Sequence, residues 1–247
     1  MQLLQADKSI GTNNPCREYT MRISRHQDLM QNPSFLSSTT QQMRQAGDYT
    51  QFALQTNDLY NQCADHIFIY DAYDRALIAS TRVIAMKRVE HLRAIGGFVC
   101  QGMFDISSLI ELDHHLIEVS NTFIEEGYDR DAALLQLWHG ISKLIHQYQA
   151  NHVIGTLMFP ISEMGKNRLD VPSALLLDPQ KERVWARNPC MIETNMVEPM
   201  MIHPHVMSMY EKLINMNGKI GHEAHVEDEQ IFFLVSANVS HLRASAF

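Results

Sequence analysis

Residues 116–141 read LIEVSNTFIEEGYDRDAALLQLWHGI, and this stretch decides the fold that the sequence predicts. It opens with the apolar run 116–119, which is typical of a strand and contains one carboxylate, that of Glu118. After a turn-like Glu-Glu-Gly, apolar side chains recur at three-residue steps, as in a helix, at Ala132, Leu135, Trp138 and Ile141. These patterns predict a strand, a loop and a helix, in that order.

The loop and the strand before it indicate a functional site. Asp129 and Asp131 lie where the helix begins, and either carboxylate is a candidate cap for the free N–H groups of the helix. A helix that begins after a strand attracts anionic groups, because its unpaired N–H groups and its dipole point the same way. The carboxylate of Glu118 is costly inside an apolar strand unless it is paired or takes part in chemistry.

A second apolar run, residues 153–159, follows the helix and has the composition of a central buried strand. A strand, a crossover helix and a second strand form a βαβ unit, in which the two strands run parallel or splay apart. Further strands are predicted at 19–23, 65–71, 77–84 and 231–235, the second and third of them as a hairpin. Residues 163–205 are interpreted as an irregular excursion, and 206–216 as a helix that ends at Asn217-Gly218.

The composition is that of a globular protein without an evident basic face. The 247 residues suffice for a hydrophobic core, and 45% hydrophobic and 19% charged residues are ordinary values. The formal net charge of −8 argues against nucleic-acid binding and gives no attraction to anionic lipids. No apolar run approaches the roughly 18 residues of a transmembrane segment, so a soluble protein is expected. Peripheral membrane contact and a homodimer are compatible with the sequence.

Cysteines and histidines give no metal-binding pattern. The four cysteines lack C-x-x-C spacing, so neither a zinc site nor a disulfide framework is predicted, and a reducing cytoplasm is the expected location. Neighbouring side chains of a strand point to opposite faces, so Asp113-His114-His115 would not bind one metal ion together. His203 with His205, and His222 with His225, are interpreted as surface histidines, with a metal site as the minor alternative.

The stretch 116–141 resembles the core of the acyl-carrier-protein (ACP)-dependent N-acyltransferases of the GNAT superfamily, the hemolysin-like ornithine-lipid and N-acyl-amino-acid synthases. Acyl-homoserine-lactone synthases are more distant relatives. The resemblance covers about residues 60–237 and is strongest at 116–160. The positions that match the family's motifs include Asp65, His66, Thr81, Arg82, Glu118, Tyr128, Ala132, Leu137, Trp138, Gly140 and Ile141.

The departures from the family pattern bear on the activity. Ser120-Asn121 stands where the family has Gly-Arg. The family also has an arginine directly after the tyrosine that corresponds to Tyr128; this chain has Asp129 at that position, and its arginine, Arg130, comes one place later. An upstream aspartate of the family is Asn61, and its Leu-Arg-Tyr segment, which helps to form the acyl and acceptor pocket, has no counterpart in residues 24–60.

The resemblance implies an α/β, GNAT-like fold: a mixed central sheet with splayed parallel strands, flanked by helices. It implies a single domain over residues 19–247, after a flexible arm at 1–18. The implied reaction moves a fatty-acyl group from ACP to a primary amine of an amino acid or a related small amine, in bacterial lipid metabolism. ACP and the amine are the implied partners, and no cofactor is implied beyond acyl-ACP or acyl-CoA as the donor.

The resemblance also assigns roles to residues. Glu118, as a base that acts directly or through water, and Asn121 are the catalytic candidates. The candidates for holding the thioester and the pantetheine are Ser120, Thr122, Arg130, Asp131, Ala132 and Ala133. The candidates for supporting the acceptor are Asp65, His66, Arg82 and Phe159.

Three functions compete on this sequence. The first is the active N-acyltransferase, and the second is a GNAT-fold protein with altered or lost chemistry that binds an acyl group, a carrier protein or a partner. The third, an acetyl-CoA-dependent enzyme, is disfavoured because Asp129 and Asp131 would repel a pyrophosphate. Each site residue also has a structural alternative: Glu118 as a buried carboxylate paired with Arg82 or a histidine, His66 bonded to backbone, and Arg82 as an anchor for a carboxylate.

Overall fold

A computed structural model of the chain describes residues 18–31, 59–112, 115–125, 127–160, 176–178, 182–191 and 217–240. Its strands are β1 Tyr19–Arg25, β2 Ala64–Asp71, β3 Leu77–Ala85, β4 Phe104–Asp105, β5 Leu116–Ile124, β6 His152–Pro160, β7 Trp185–Ala186, β8 Pro189–Met191, β9 Gly218–Glu227 and β10 Gln230–Asn238. Its helices are α1 His26–Met30, α2 Leu59–Gln62, α3 Val89–Ile95, α4 Ser107–Leu112 and α5 Arg130–Tyr148. Short 3₁₀ turns lie at Met86–Arg88 and Val99–Gly102.

The main sheet has eight strands in the order β1-β2-β3-β5-β6-β10-β9-β8, and β4 pairs with β7 in a separate ribbon. All neighbours in the main sheet are antiparallel except β5 and β6, which are parallel. β2 and β3 are buried along almost their whole length, as expected for strands covered on both faces. The expected fold class, a mixed GNAT-like sheet flanked by helices, is confirmed.

One face of this sheet is covered by α5. The helix begins at the cap residue Asp129 and ends at Gln149, which takes the left-handed conformation. Its buried residues are spaced by three and four positions, at Ala133, Leu137, Gly140, Ile141, Leu144, Ile145 and Tyr148. Gly140 allows close contact with the sheet, since a Cβ there would lie 2.7 Å from Cγ2 of Ile67.

The helix was therefore predicted correctly, but its buried face was not. The three-residue pattern named Leu135, which is 55% exposed. Three residues turn a helix by 300°, so such a series drifts around the axis by about 60° a step. The buried series corrects this drift by alternating steps of three and four.

Strands β5 and β6 pair over only part of their length. The parallel register joins Leu116–Val119 to His152–Gly155 and ends there. Beyond it, β5 keeps its pairing with β3 on its other edge, and β6 keeps its pairing with β10. The backbones of the last parallel pair, Val119 and Gly155, are close together, because a Cβ on Gly155 would lie 2.8 Å from the carbonyl oxygen of Val119. The predicted parallel strands thus part after Val119, and we call the space between residues 120–124 and 156–160 the strand gap.

The other predicted strands are confirmed, with longer bounds, as β1, β2, β3 and β10. The interpretation of 163–205 as irregular is wrong where the structure describes it, because β7 and β8 lie there. β9 was missed: it contains Gly218, Gly221 and four charged or histidine side chains before Val226, and its pairing with β8 and β10 overrides this composition. Three predictions lie outside the described residues: the arm 1–18 except for its last residue, the helix 206–216, and His203 with His205.

Candidate functional site

A β-bulge stands beside the strand gap. The register between β3 and β5 shifts between the pairs Ser80–Phe123 and Arg82–Ser120, and Asn121 within this shift has a φ of 51°. Left-handed backbone in a residue other than glycine is most common for asparagine and aspartate. The hydroxyl of Thr81 fixes the bulge, because it donates to the carbonyl of Ser120 at 3.2 Å or shares a hydrogen bond with the Thr122 hydroxyl at 2.8 Å.

The first turn of α5 follows β5 and is closed by its own cap. The carboxylate of Asp129 accepts hydrogen bonds from the backbone N–H groups of Asp131 and Ala132, both at 3.0 Å. The N–H of Ala133 donates to the carbonyl of Asp129, also at 3.0 Å. Asp129 is therefore the cap, of the two candidates that the sequence offered. An anionic ligand at these amides would have to displace its carboxylate.

Glu118 lies on the sheet face opposite α5, fully buried in β5. Its two carboxylate oxygens accept hydrogen bonds from the N–H groups of Val99 and Cys100, each at 2.7 Å. Burial raises the pKa of Glu118, although these amides and the positive charge of Arg82 act to lower it. Burial, together with the negative charge of Glu118, raises the pKa of the Cys100 thiol well above its usual range. The buried thiol is therefore a poor nucleophile.

The Val99 and Cys100 amides belong to a loop that glycines shape. Gly96 and Gly97 have φ angles of 92° and 106°, and Gly97 N–H donates to the carbonyl of Leu92 at 2.7 Å, which ends α3. The chain then enters the 3₁₀ turn Val99–Gly102, whose first amides point at Glu118. Glu118 thus attaches this glycine loop to the centre of the sheet.

Arg82 lies on the same face of the sheet, beside Glu118. Its Nε donates to the Ser120 hydroxyl at 3.1 Å and its Nη1 to Oδ1 of Asn61 at 3.0 Å. Its guanidinium also lies over the Tyr60 ring, 5.6 Å from the ring centre. The pairing of Glu118 with Arg82 through a hydrogen bond, proposed as the structural alternative, is not among the contacts of the described residues. Arg82 instead holds the start of the bulge to α2.

Asp65 and His66 are neighbours in β2 and therefore point to opposite faces of the sheet. Asp65 points to the α5 side, where Arg88 donates to both carboxylate oxygens at 3.2 Å and the Tyr148 hydroxyl also donates to one of them. The His66 ring stacks on Phe68 at 6.0 Å between ring centres.

The structure thus gathers only part of the predicted site. Ser120, Asn121 and Thr122 form the bulge at the strand gap, and Arg82 joins them on one side. Arg130, Asp131, Ala132 and Ala133 form the first turn of α5, with Arg130 and Asp131 exposed. Phe159 lies in β6 beyond the point where the strands part, paired with Ile231.

Sequence reasoning missed the partners of both buried carboxylates. Val99 and Cys100 act through backbone amides, which any residue but proline would supply, so no residue type marked them. Arg88 and Tyr148 lie 23 and 83 positions from Asp65, and no local pattern connects them. The Gly96-Gly97 pair was a usable signal, since two adjacent glycines indicate a constrained loop.

Among the described residues, His, Cys, Asp and Glu side chains do not form a group of three or more that could hold a metal ion. Over the same residues, there is no helix with the length and apolarity needed to cross a membrane.

Comparison with known proteins agrees with the fold. Residues 20–139 match the family described as the acetyltransferase (GNAT) domain. The fold and the match define the class of the protein: its type of activity is the N-acyl transfer of GNAT proteins. No curated protein sequence matches the chain.

The chain is similar to several solved structures at low identity. FeeM, an N-acyl amino acid synthase from uncultured soil microbes, is 8% identical, with a TM-score of 0.45 over 93% of this chain and 94% of that one. An acyl-CoA N-acyltransferase from Pseudomonas aeruginosa is 10% identical, with a TM-score of 0.48 over 89% and 99%. The AHL synthase LasI is 9% identical, with a TM-score of 0.45 over 90% and 91%.

Proposed function

We propose that this protein transfers a fatty-acyl group from the thioester of an acyl-carrier protein to the primary amine of an amino acid or a related small amine. The observation that carries the proposal is the bulge at Asn121 beside the strand gap, because it places irregular backbone where two parallel strands part. The resemblance of the stretch 116–160 to ACP-dependent N-acyltransferases supplies the choice of donor and acceptor.

The proposed chemistry is a direct transfer. The neutral amine attacks the thioester carbonyl, the C–N bond forms, the C–S bond breaks, and the proton lost by the amine leaves with the carrier thiol or the solvent. Backbone N–H groups at Ser120–Thr122 would stabilise the negative charge that develops on the carbonyl oxygen. Asn121 would orient this backbone through its left-handed conformation. No covalent intermediate on the protein is required.

The amine requires a base, because an ammonium group has no lone pair with which to attack. The direction of the Glu118 pKa shift, upwards from its ordinary value, suits a proton acceptor. Its two 2.7 Å bonds to Val99 and Cys100 favour a different role, that of positioning the glycine loop. We propose Glu118 as the base through an intervening water, with the loop held by the same carboxylate.

The donor would lie in the strand gap, with its pantetheine arm beside the first turn of α5. Arg130 is the exposed cation at this turn, and the amides of residues 131–133 are its hydrogen-bond donors. Because Asp129 already accepts from two of these amides, donor binding includes a movement of its carboxylate. Asp65, His66, Arg82 and Phe159 are proposed as support for the acceptor side.

Two observations favour a second function, that of a GNAT-fold protein that binds acyl-ACP without turning it over. Asp129 closes the first turn of α5, and both oxygens of Glu118 are engaged by the loop. The Asp129 carboxylate would oppose binding of the donor at the first turn of α5, and the engaged oxygens of Glu118 would oppose removal of a proton from the amine. In this alternative the strand gap binds the acyl chain and the chemistry is absent.

The first experiment combines the purified protein with long-chain acyl-ACP and, in separate reactions, ornithine, lysine, glycine and polyamines. Mass spectrometry quantifies the free carrier and each N-acyl product. An N-acyl product from one amine supports the enzyme and names its acceptor. Acyl-ACP that is bound but not consumed supports the binding protein. Acyl-ACP that is neither bound nor consumed contradicts both.

Two variants at one position then test the bulge. Asn121→Gly retains the left-handed backbone, whereas Asn121→Val removes it, because a β-branched residue disfavours positive φ. If the bulge backbone stabilises the reaction, the glycine variant keeps most of the rate and the valine variant loses about 100-fold. If both variants lose the rate equally, the Asn121 side chain is the catalytic group instead. If both variants transfer the acyl group at the wild-type rate, the bulge has no part in the mechanism.

A further inference from the structure

A second pocket lies away from the strand gap, near the end of β1. It has a volume of about 250 Å³ and is lined by Arg25, Gln27, Gln62, Cys63, Arg88 and Tyr148. These residues come from the end of β1, the first turn of α1, the end of α2, the 3₁₀ turn after β3 and the end of α5. The proposed transfer uses none of the six.

The floor of the pocket is a fixed hydrogen-bond network around Asp65. Arg88 donates through Nη2 to both oxygens of Asp65 at 3.2 Å and to the Tyr148 hydroxyl oxygen at 2.6 Å. Its Nη1 donates to the carbonyl of Cys63 at 2.8 Å. Burial raises the pKa of Tyr148, and Asp65 raises it further, so this hydroxyl stays a donor to Asp65 at neutral pH. The charges of Arg88 and Asp65 cancel within the floor.

The positive charge of Arg25 lies at the mouth of the pocket, and Asp65 is its ion-pair partner among the described residues. The Arg25 side chain is 60% exposed, and its Nε lies 3.9 Å from Asp65. Within the described residues, its two Nη groups and the side-chain amides of Gln27 and Gln62 make no hydrogen bond to another protein group. The nearby Asp28 carboxylate accepts from the backbone N–H of Arg25, at 3.3 Å. Within the part of the chain that the structure describes, the mouth thus presents the Nη groups of a guanidinium and two side-chain amides as available donors.

We propose that this pocket binds the oxyanion of a small molecule, a carboxylate or a phosphate, between Arg25 and the two glutamines. A guanidinium presents a planar pair of donors that matches the two oxygens of a carboxylate or a phosphate. Gln27 and Gln62 add neutral donors, which suit an anion in a protein of net charge −8. The volume of the pocket limits the ligand to a few non-hydrogen atoms beyond the anionic group.

This oxyanion pocket lies apart from the strand gap, and it shares only Asp65 of its floor with the residues that we propose as support for the acceptor. Arg25 pairs with Asp65, Asp65 with Val83, and Val83 with Val119, so three strand spacings separate Arg25 from the start of the strand gap. At about 4.8 Å a spacing, this is about 14 Å. The helix α5 packs over the intervening strands β2 and β3. The ligand would therefore occupy a site of its own, whether or not the protein transfers acyl groups.

The test measures binding of inorganic phosphate and of malonate to the full-length protein, by calorimetry and by thermal unfolding, against sodium chloride of equal ionic strength. We expect saturable binding of at least one anion and a rise in Tm that follows its concentration. Arg25→Gln should weaken Kd about tenfold or more, because the paired, charge-assisted hydrogen bonds are lost. Phosphate alone, or malonate alone, as the ligand would identify the chemical class.

Two further variants keep the test decisive. Arg93→Gln removes the same charge from an exposed position of α3 that does not line the pocket, so its Kd should equal that of the wild type. Gln62→Ala is an exposed change at the mouth and should weaken Kd by a few-fold even if Arg25→Gln proved unstable. Absence of saturable binding, or equal Kd values in wild type, Arg25→Gln and Gln62→Ala, would overturn the proposal.

Discussion

Glu118 and Asp65 are two buried carboxylates in the same sheet, and their surroundings differ in kind. Glu118 in β5 is held by two backbone N–H groups of the glycine loop. Asp65 in β2 is held by the side chains of Arg88 and Tyr148, on the opposite face. The negative charge of Asp65 is met by a full positive charge, whereas that of Glu118 is met at contact distance by dipoles. Burial raises the pKa of Glu118, because the amide dipoles and the charge of Arg82 offset it incompletely.

The comparison also separates two ways of building a site. A carboxylate held by backbone amides fixes the position of a loop, and no substitution of the loop residues except proline removes its donors. A carboxylate held by side chains can be altered from either partner. The first arrangement borders the proposed reaction centre and the second forms the floor of the oxyanion pocket. The predictions below test whether the two carboxylates behave as these surroundings require.

The largest effect is expected for Glu118→Ala. It leaves two buried N–H groups without acceptors and opens a cavity, which should lower the free energy of unfolding by about 4 kcal/mol. Urea denaturation followed by circular dichroism measures this change. Glu111→Ala, an exposed glutamate in α4, is the matched control and should change stability by less than about 0.5 kcal/mol. A loss for Glu118→Ala as small as that of the control would show that the glycine loop is not held by Glu118.

Asp65→Ala should cost less, about 3 kcal/mol, because the Arg88 side chain is 19% exposed and water can hydrate it in part. Adding Arg88→Met should recover about 1 kcal/mol, since the unpaired charge is then removed as well. No second substitution can rescue Glu118→Ala in this way. The double-mutant cycle is measured by urea denaturation. Additive losses in the cycle would mean that Arg88 does not depend on Asp65.

A smaller effect is expected for Tyr148→Phe, about 1 to 2 kcal/mol, because the hydrogen bonds of the hydroxyl with Asp65 and with Arg88 are lost. The contribution of the hydroxyl has a defined pH dependence. The folded-state pKa is raised above the ordinary value of 10.0, so the contribution is complete below pH 10 and is lost as the pH rises through the folded pKa. The stability difference between wild type and Tyr148→Phe should therefore shrink only above pH 10. A difference that shrinks between pH 6 and 8 would contradict this assignment.

The most subtle prediction concerns the protonation of Glu118. Its folded-state pKa is raised above 4.5, so the folded protein holds a proton over a range in which the unfolded chain has lost it, and stability falls as pH rises through that range. Relative to the non-titrating Glu118→Gln, wild type should be most stable below pH 4.5 and lose part of that advantage above it. Chemical denaturation at a series of pH values measures the trend. An advantage that grows with pH would mean that the amides outweigh burial.

Much of the fold followed from local patterns. The run 116–119, the helix start at Asp129 or Asp131 and the run 153–159 predicted β5, α5 and β6. Their order predicted strands that run parallel or splay apart, and the family resemblance implied that parallel strands part. Hydrophobic period and capping are properties of neighbouring residues, so a single sequence contains them. The site was predicted less well. The segment Ser120–Thr122 was identified at the strand gap, but its left-handed backbone was not.

The sequence by itself determined where the central βαβ unit lies, because strand period, helix period and the Asp129 cap are set within a few residues. Only the tertiary structure decided what the two buried carboxylates do. Their partners lie 18 to 83 positions away in the chain, and strand register and loop path bring them together. Register depends on the pairing of whole strands and on bulges such as that at Asn121, which leave no periodic mark in the sequence.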